Sequence, residues 1–585
     1  MPPEYGMSAG GGTSQNSEKA GAISSLLRFI AIGTLTGLGF GLVMAIVSNG
    51  FVLGVKALSS LREGQLFELL RIGDLPVSFA PIVSLLVAVA AILLVRRIFG
   101  IKRWHGPADA IHAAHRSDNE LDVKSGFGST LAAFISASGG ASVGQYGPLV
   151  HFGATMGSFL RQTTGGVLST DIFIGCGVAG AIAAGFNAPI AGIVFAHEAV
   201  LRHFSMRAIV PIAIASVSSV WFSDAFFGSA HIFDLSAVSI NLSHMLPPAL
   251  VAGPVFGLLA VLFMLAIRYS AGFAARSGWS PTRLLLVAAI GTGVVGMFIP
   301  EVLGLGTSAL SSMLDGGFDP AYLMVLLIAK LLLTALCIGF GLFGGVFSPA
   351  LFVGAAAGAV IGQIMVGVMG FGSMTALSIC GMAAVASAVI GAPVAGVLII
   401  LELTMNYDFA LVAMVSVVAS IMVTNLVFGH SFFDRQLLDR GIDVSQGRGH
   451  IEMTETPVLS VVDSNFCRIL PNADVRFAIQ ELAKAEVTEA YLIDGKANFH
   501  GKLRLHELLS QKGGAPVLPL ADSAPISIKH DASLQQAIEV ASGFVGESIP
   551  VINRVEGKML GVVTEADLFK LYLSLQHRVA DLERT

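Results

Sequence analysis

Apolar segments recur along the chain from about residue 24 to residue 428, and only short polar stretches separate them. Segments of roughly 20 apolar residues are long enough to cross a bilayer as α-helices. Several segments are short or interrupted by Gly and Pro, which indicates discontinuous helices whose ends meet inside the membrane. The clearest segments are 29–58, 79–95, 209–222, 246–267, 284–299, 323–340 and 411–427, and glycine-rich helical stretches are expected at 129–160 and 344–370.

Charge is distributed unevenly along the 585 residues. The last 146 residues hold 34 Asp, Glu, Lys and Arg side chains, an ordinary share for a soluble domain, whereas the first 439 residues hold only 39. The stretch 331–401 holds none. Lipid must therefore solvate the first three quarters of the chain. The net charge of −5 and the lack of a basic face exclude a nucleic-acid partner, and the composition also excludes fibrous and disordered classes.

Two motifs of the apolar part return further along the chain. Gly144-Gln-Tyr-Gly-Pro148 is repeated as Gly345-Val-Phe-Ser-Pro349, and Ala188-Pro-Ile-Ala-Gly192 is repeated as Ala392-Pro-Val-Ala-Gly396. The two offsets, 201 and 204 residues, are nearly equal, which predicts two related halves. Hydropathy does not settle whether the halves are parallel or inverted, but inverted repeats with broken helices are the common arrangement in transporters.

The polar tail contains a repeat of its own. Pro471-Asn-Ala-Asp474 leads into an amphipathic segment at 475–485, and His530-Asp-Ala-Ser533 leads into another at 534–545. Strand-like segments follow each of them, so two α/β units are expected. The predicted organisation is a disordered tail at 1–23, a membrane domain at 24–438 with halves at about 24–230 and 240–438, and a soluble module at 439–585 with units at about 454–512 and 520–576.

Four motifs, taken in order and at their spacing, carry a resemblance to a known family: Gly185-Phe-Asn-Ala-Pro-Ile-Ala-Gly192, Gly344-Gly-Val-Phe-Ser-Pro349, Glu402-Leu-Thr404 and Ser431-Phe-Phe-Asp-Arg-Gln-Leu437. The membrane part resembles the CLC family of chloride channels and chloride/proton exchangers, and the tail resembles a pair of CBS domains. The resemblance implies an all-α polytopic membrane fold with two repeats, for which we expect the inverted arrangement, and a small α/β tail. It also implies a homodimer in the plasma or inner membrane, with one chloride pathway per subunit and the tail in the cytoplasm.

The physics of the repeated motif suits an anion. A full Lys or Arg charge inside the membrane would hold chloride too tightly to release it, whereas helix N-termini offer free N–H groups and a positive dipole end. Gly144 and Gly147 would let the backbone approach the ion. The resemblance implies that the backbone amides of Val346 and Phe347 line the central site.

Two departures from the family pattern bear on the mechanism. Proton-coupled members have a glutamate in the first motif, and here Tyr146 takes its place. A phenol, whose unperturbed pKa is near 10, does not exchange protons readily at neutral pH, but it can plug a pore. The second proton glutamate aligns with Ala199, next to Glu198. Glu198 and its repeat mate Glu402 are expected to hydrogen-bond helix ends.

Other anion ligands of the family are also replaced. The loop that supplies a serine hydroxyl aligns with Arg103-Trp-His-Gly-Pro107, so Trp104 or His105 would donate an N–H group instead. The inner tyrosine of the family aligns with Phe433, which cannot donate a hydrogen bond. A wider, more weakly binding inner vestibule is expected.

In the tail, Thr564 and Asp567 match the Thr-x-x-Asp pattern with which many CBS domains hold a nucleotide ribose. Binding of an adenine nucleotide there is one alternative, and a nucleotide-free dimerisation and gating module is the other. No cofactor or metal is required on either interpretation. The chain has no nucleophile–base pair, phosphate loop or metal spacing, so an enzyme is not expected.

The sequence predicts passive conduction of chloride, or another small monovalent anion, gated by Tyr146. One alternative within the family is an exchanger that moves protons through His197 or Glu198. A fluoride/proton exchanger fits less well, because the gate motif differs. An alternative from another class is a membrane sensor that is regulated by the CBS domains and retains a vestigial pore.

Overall fold

The computed structural model describes residues 12–63, 78–116, 120–164, 168–228, 235, 240–369, 373–553 and 555–584. The chain forms two compact units that divide after Gly441. The first unit is helical, and the second is an α/β module. The expected division at residue 439 lies within a few residues of this boundary.

Eight helices of the described chain form the first half of the membrane unit. Polar side chains cap several helices in both halves, because a side-chain oxygen can accept a first-turn N–H that lacks a partner within its helix. These caps are Asp122, Ser205, Asn241, Ser280, Asp319, Ser373, Asn406 and Ser431. The helices are α1 (Gly12–Glu63), α2 (Ala80–Phe99), α3 (Pro107–His115), α4 (Val123–Gly139), α5 (Tyr146–Thr164), α6 (Thr170–Phe186), α7 (Pro189–Phe195) and α8 (Met206–Phe227).

Eight further helices form the second half in the same order, and a ninth helix ends the unit. A π-helical turn, Ala196–Leu201, extends α7, whereas its counterpart α15 continues as an α-helix. The helices are α9 (Leu242–Arg276), α10 (Pro281–Phe298), α11 (Thr307–Leu314), α12 (Pro320–Phe340), α13 (Phe347–Met369), α14 (Met374–Ile390), α15 (Pro393–Thr404), α16 (Tyr407–Val427) and α17 (Phe432–Leu438).

The two halves pack in the same way, which confirms the predicted repeat. Helix α1 lies against α6 and α8, and α9 lies against α14 and α16. The α5–α6 crossing is closed by Gly153 against Gly177, and the α13–α14 crossing by Gly354 against Gly381. Because a Cβ at any of these glycines would overlap the opposing backbone, the small residues are what lets these helices touch.

Eight helices of the described chain are long and apolar enough to cross a membrane, by length and composition. Two sequence expectations need correction. The stretch predicted at 129–160 is two helices, because residues 140–145 break it before α5 begins. The predicted disordered tail at 1–23 overlaps α1, whose backbone is helical from Gly12, while residues 1–11 lie outside the described chain. Extending a formed helix costs little per residue, so α1 can continue beyond its apolar segment.

The tail contains the two expected α/β units, each with a three-stranded sheet. In each sheet the first two strands are parallel and the second pair is antiparallel. The strands are β1 (Arg468–Ile469), β2 (Glu489–Ile493), β3 (Phe499–Arg504), β4 (Ile528–Lys529), β5 (Ile549–Asn553) and β6 (Lys558–Val563). The helices are α18 (Arg448–Glu455), α19 (Val475–Lys484), α20 (Leu505–Leu508), α21 (Leu534–Ala541) and α22 (Glu565–Arg584).

A buried ion pair of the first tail unit is hydrogen-bonded to Ser548 of the second unit. Lys502 Nζ lies 2.7 Å from Glu489 Oε2, and both side chains are buried. The ammonium also donates to the Ser548 carbonyl, and the carboxylate accepts the Ser548 N–H. Burial lowers the pKa of Lys502, against the opposing effect of Glu489. Because removing one partner would leave a buried charge, the pair fixes how these two units meet.

Candidate functional site

The two copies of the repeated motif meet directly. Gly144 N–H donates to the Gly345 carbonyl at 2.7 Å, and Gly345 N–H donates to the Gly144 carbonyl at 2.6 Å. The bridge is antiparallel, and α5 and α13 each begin two residues after it. The N-terminal ends of these two helices therefore share one junction.

Glycine on both sides of this junction leaves room for the opposing backbone. A Cβ at Gly345 would lie 2.9 Å from the Gly147 amide nitrogen, and one at Gly144 would lie 3.0 Å from the Gly345 carbonyl oxygen. Both opposing atoms belong to the backbone and cannot rotate away. Gly144, predicted to let the backbone approach an ion, lets the two repeat halves approach each other in the structure.

Tyr146, the expected gate, is the first residue of α5 and is buried. Its ring stacks on Phe186, with centroids 3.6 Å apart and planes at 15°, and meets the edge of Phe347 at 5.5 Å. Its hydroxyl donates to the Gly185 carbonyl at 3.3 Å. The phenol is therefore held between the two repeat halves, at the start of both helices.

Phe186 also belongs to this cluster and is not among the predicted site residues. It also lies 5.1 Å from the ring of Phe347. The signal in the sequence was the preceding glycine: a Cβ at Gly185 would lie 2.8 Å from the Tyr146 ring. Because Gly185 has no side chain, it leaves the space that the Tyr146 ring occupies next to Phe186.

Val346 and Phe347, expected to line the site with their amides, lie at the start of α13 and are buried. The first N–H groups of a helix have no partner within it, and they carry the positive end of its dipole. The opposite helix, α5, presents its own N-terminus across the Gly144–Gly345 bridge. Two positive helix ends at one buried point form an arrangement that favours an anion.

Trp104 and His105, the two residues expected to donate an N–H group to the anion, lie in the loop before α3. Their ring nitrogens differ in hydrogen bonding. Trp104 Nε1 donates to the Gly341 carbonyl at 3.1 Å, and its ring stacks with Phe343 at 5.8 Å. Its N–H group is thus already used in the structure. His105 differs, since its Nδ1 is buried with no hydrogen-bond partner among the described residues. Of the two, His105 has the free ring nitrogen.

His151 on α5 lies near this loop and is not among the predicted site residues. Its side chain is fully buried, and neither ring nitrogen has a hydrogen-bond partner in the described chain. Its ring lies 6.1 Å from that of His105. The available signal was a histidine within an apolar helical stretch, five residues after Tyr146.

Phe433, expected at the inner gate, lies in the first turn of α17 and is buried. Its ring contacts Phe432 at 5.9 Å. Among the described ring pairs none joins it to the Tyr146 cluster.

Glu198 and Glu402 make mirror-image contacts. The Glu198 carboxylate accepts the N–H groups of Val394 and Ala395 at 3.0 and 2.7 Å, at the start of α15. Glu402 accepts two N–H groups at 2.9 and 2.8 Å at the start of α7. Each half thus caps the broken helix of the other, and the expected helix-end role is confirmed.

His197, the alternative proton site, is packed in the π-helical turn. Its Nδ1 lies 2.9 Å from the His203 carbonyl and its ring stacks on Phe204 at 4.9 Å. Its Nε2 is buried without a hydrogen-bond partner in the described chain. Ala199, two residues on, is also buried. These contacts are those of a packed histidine.

In the tail, Thr564 and Asp567 are hydrogen-bonded to each other. Thr564 Oγ1 donates to Asp567 Oδ2 at 2.6 Å, and the Asp567 N–H donates back to Thr564 Oγ1. This is the pattern of a helix cap at the start of α22. A cavity of about 460 Å³ in this unit is lined by residues 527–529, 532, 536, 539 and 540 and includes neither residue of the pair. The predicted nucleotide role of this pair stays a prediction.

Apolar spanning helices, two repeated halves and broken helices that meet at a buried junction define an integral, multi-span membrane protein of the transporter or channel type. Residues 86–425 match the model of the voltage gated chloride channel family, and residues 520–574 match the CBS domain. Because the first match covers more than half of the chain, the protein belongs to the voltage gated chloride channel family, as the motifs indicated.

Relatives and solved structures agree with this assignment. The H(+)/Cl(-) exchange transporter ClcA of Vibrio parahaemolyticus is 28% identical over 445 residues, covering 71% of this chain and 90% of the relative. ClcA of Citrobacter koseri is 28% identical over 432 residues, covering 70% and 87%. The fold is similar to that of a slow cyanobacterial Cl-/H+ antiporter (TM-score 0.62, 20% identity, 70% and 97% covered) and of a eukaryotic CLC transporter (TM-score 0.59, 19% identity, 93% and 98% covered).

Proposed function

We propose that the protein conducts chloride, or another small monovalent anion, passively across the membrane. The observation that carries the proposal is the position of Tyr146, a phenol buried where the N-terminal ends of α5 and α13 meet. Helix ends attract an anion without a fixed charge, so the ion can bind there and still leave.

Tyr146 acts as a neutral gate. Its ring is held by stacking on Phe186 and by the edge of Phe347, and its hydroxyl by the Gly185 carbonyl. These contacts are weak enough, about 1 kcal/mol each, for the ring to leave and return. When it leaves, the N–H groups at the junction are free to bind the ion.

Proton coupling is absent because both of its carboxylates are absent. Tyr146 stands at the gate, and the buried Ala199 stands where a second proton acceptor is expected. The neighbouring Glu198 is occupied by two backbone N–H groups of α15. Relatives are named as H(+)/Cl(-) exchangers, so this is the point on which the protein would differ from them.

The experiment is a flux measurement on the full-length protein in liposomes, with chloride and internal pH recorded together. An outward chloride gradient should drive chloride efflux with no proton movement against its own gradient. ClcA of Vibrio parahaemolyticus, treated in parallel, is the control for coupled exchange. Uphill proton movement by this protein would contradict the channel, and a lack of any flux would favour a sensor with a vestigial pore.

The proposal extends to assembly and the tail. The protein forms a homodimer in the plasma or inner membrane, with one pathway per subunit and the CBS pair in the cytoplasm. No cofactor is needed, and the mutual capping of Thr564 and Asp567 favours a nucleotide-free gating module over an adenine nucleotide site. Mass determination in detergent and titration with ATP test these two points: a monomer contradicts the first, and saturable binding contradicts the second.

A further inference from the structure

His105 and His151 are two histidines of the first repeat half that the proposed gate does not use. We call them the imidazole pair, since their ring centres are 6.1 Å apart. Three of their four ring nitrogens, Nδ1 of His105 and both nitrogens of His151, are buried without a hydrogen-bond partner among the described residues. A neutral imidazole has one basic nitrogen, which can accept a proton when no hydrogen bond occupies it.

The imidazole pair lies between the loop before α3 and the helix that carries the gate residue. Ser129 Oγ accepts the backbone N–H of His105 at 3.0 Å, which fixes the loop at that point. Pro107 lies against the start of α5, since a Cβ at Gly147 would lie 3.5 Å from its Cγ. His151 follows Tyr146 by five residues, about 8 Å along the helix axis. A charge on the pair therefore acts on the N-terminal part of the gate helix.

Four charged groups of the described chain act on the imidazole pair, two acidic and two basic. They are Asp109 in α3, Asp122 at the start of α4, Arg103 in the loop and Arg440 after α17. Asp109 binds both arginines, at 2.7 and 2.8 Å. Because the four charges balance, a first proton on the pair meets no net charge of its own sign. A second proton would be repelled by the first across 6.1 Å, so the pair takes one.

The imidazole pair has a route to solvent through one of its members. His151 is fully buried, but His105 is only partly buried and follows the exposed Lys102 and Arg103. A proton therefore reaches the pair at His105 and is shared with the ring behind it.

The other repeat half carries a basic side chain among the equivalent residues. The residues 201 positions after His105, Ser129 and His151 are Gly306, Lys330 and Phe352. They also lie together, since Lys330 Nζ lies 5.1 Å from the ring centre of Phe352 and 3.3 Å from where a Cβ at Gly306 would be. Each half thus places a basic group here, but only the first half uses imidazoles, the side chains that change charge between about pH 5 and 8.

We propose that the imidazole pair binds one proton and that this proton increases anion flux as the pH falls. The inference rests on the proposed function, because anion flux is what the proton regulates. The gate itself is a phenol and gives no such dependence near neutral pH. The added positive charge reinforces the positive end of the α5 dipole, so the protonated protein binds the anion more tightly. The proton stays bound while ions pass, so it regulates the flux without being exchanged.

The test measures chloride flux of the full-length protein in liposomes from pH 8 to pH 5, with the same pH on both sides. The half-saturating chloride concentration should fall about fivefold over this range. His105→Gln and His151→Gln keep hydrogen-bonding groups without the titration, and each should remove most of the change. His244→Gln, exposed in the first turn of α9, is the matched control and should keep it. A double variant of the pair that retains the full pH dependence overturns the proposal.

A second measurement does not depend on flux or on folding of the His151 variant. In NMR spectra of the original protein with ¹³C-labelled histidine rings, two coupled rings should titrate between pH 5 and 8. His105→Gln should remove one of these signals and shift the titration of the other. Conduction without such a titration overturns this inference and leaves the proposed function intact. Titration in a protein that conducts no anion supports the proton site and contradicts the proposed function.

Discussion

Gly144 and Gly345 exchange two backbone hydrogen bonds, although 201 residues separate them in the chain. This bridge joins the repeat halves at the point where α5 and α13 begin. It therefore sets the distance between the two helix ends that form the proposed anion site. Tyr146 and Phe347, each two residues further on, meet because the bridge brings their backbones together.

Gly345→Ala should abolish chloride flux and lower thermal stability, because its Cβ would lie 2.9 Å from the Gly147 amide nitrogen. The cost should exceed about 2 kcal/mol, since backbone on both sides must shift. Gly367→Ala is the matched control: a Cβ there meets nothing within 4 Å, and alanine favours the helix. Thermal unfolding in detergent and liposome flux measure both. Equal effects of the two variants would contradict the role of the bridge.

Tyr146→Phe should increase chloride flux about fivefold, because it removes the hydroxyl bond to the Gly185 carbonyl, worth about 1 kcal/mol, and keeps the stacked ring. Tyr146→Ala should increase flux further, since it also removes the contacts with Phe186 and Phe347. Chloride efflux from liposomes at matched protein density provides the measurement. Flux that is the same in all three proteins would show that Tyr146 does not gate.

Glu198→Ala and Glu402→Ala should destabilise the protein to a similar degree, by about 2 kcal/mol each, because each carboxylate accepts two N–H groups at a helix start. The glutamine variants keep an acceptor oxygen and should lose less. Thermal unfolding in detergent compares the four variants. Destabilisation by only one of the alanine variants would show that the two contacts are not equivalent, despite their symmetry.

Glu452 in α18 gives the tail a pH dependence. Both carboxylate oxygens are buried without hydrogen-bond partners among the described residues, and burial raises its pKa despite the opposing effect of Arg578 and Arg448. A carboxyl with a raised pKa stabilises the folded state below its unfolded pKa, and this contribution is lost as pH rises through the folded value. Glu452→Gln should therefore slow the hydrogen exchange of the α18 amides at pH 7 and should change it little near pH 4.

Hydrogen exchange of the α18 amides, corrected for intrinsic rates at each pH, tests this expectation. Glu539→Gln, at an exposed position of α21, is the control and should leave α18 unchanged. Protection that Glu452→Gln alters equally at both pH values would exclude titration of Glu452 as the cause.

Much of the fold could be predicted from local patterns. Apolar segment length indicated a membrane protein, and the repeated motifs at offsets of 201 and 204 residues indicated two halves. The reciprocal roles of Glu198 and Glu402 followed from the same repeat. The helical break at 140–145 was missed because glycine-rich helix and glycine-rich turn have similar composition.

Which residues form the site could not be read from the spacing of motifs in the sequence. Sequence alone selected Tyr146 as the gate, since one residue type replaced another within a motif. Only the tertiary structure stacked Phe186 on it and engaged the Trp104 N–H with a carbonyl 237 residues away. Local patterns determine which segments are helical and which ends are capped, because those interactions span a few residues. Which side chains share a buried space is decided by the packing of helices hundreds of residues apart, and that packing exists only in the folded chain.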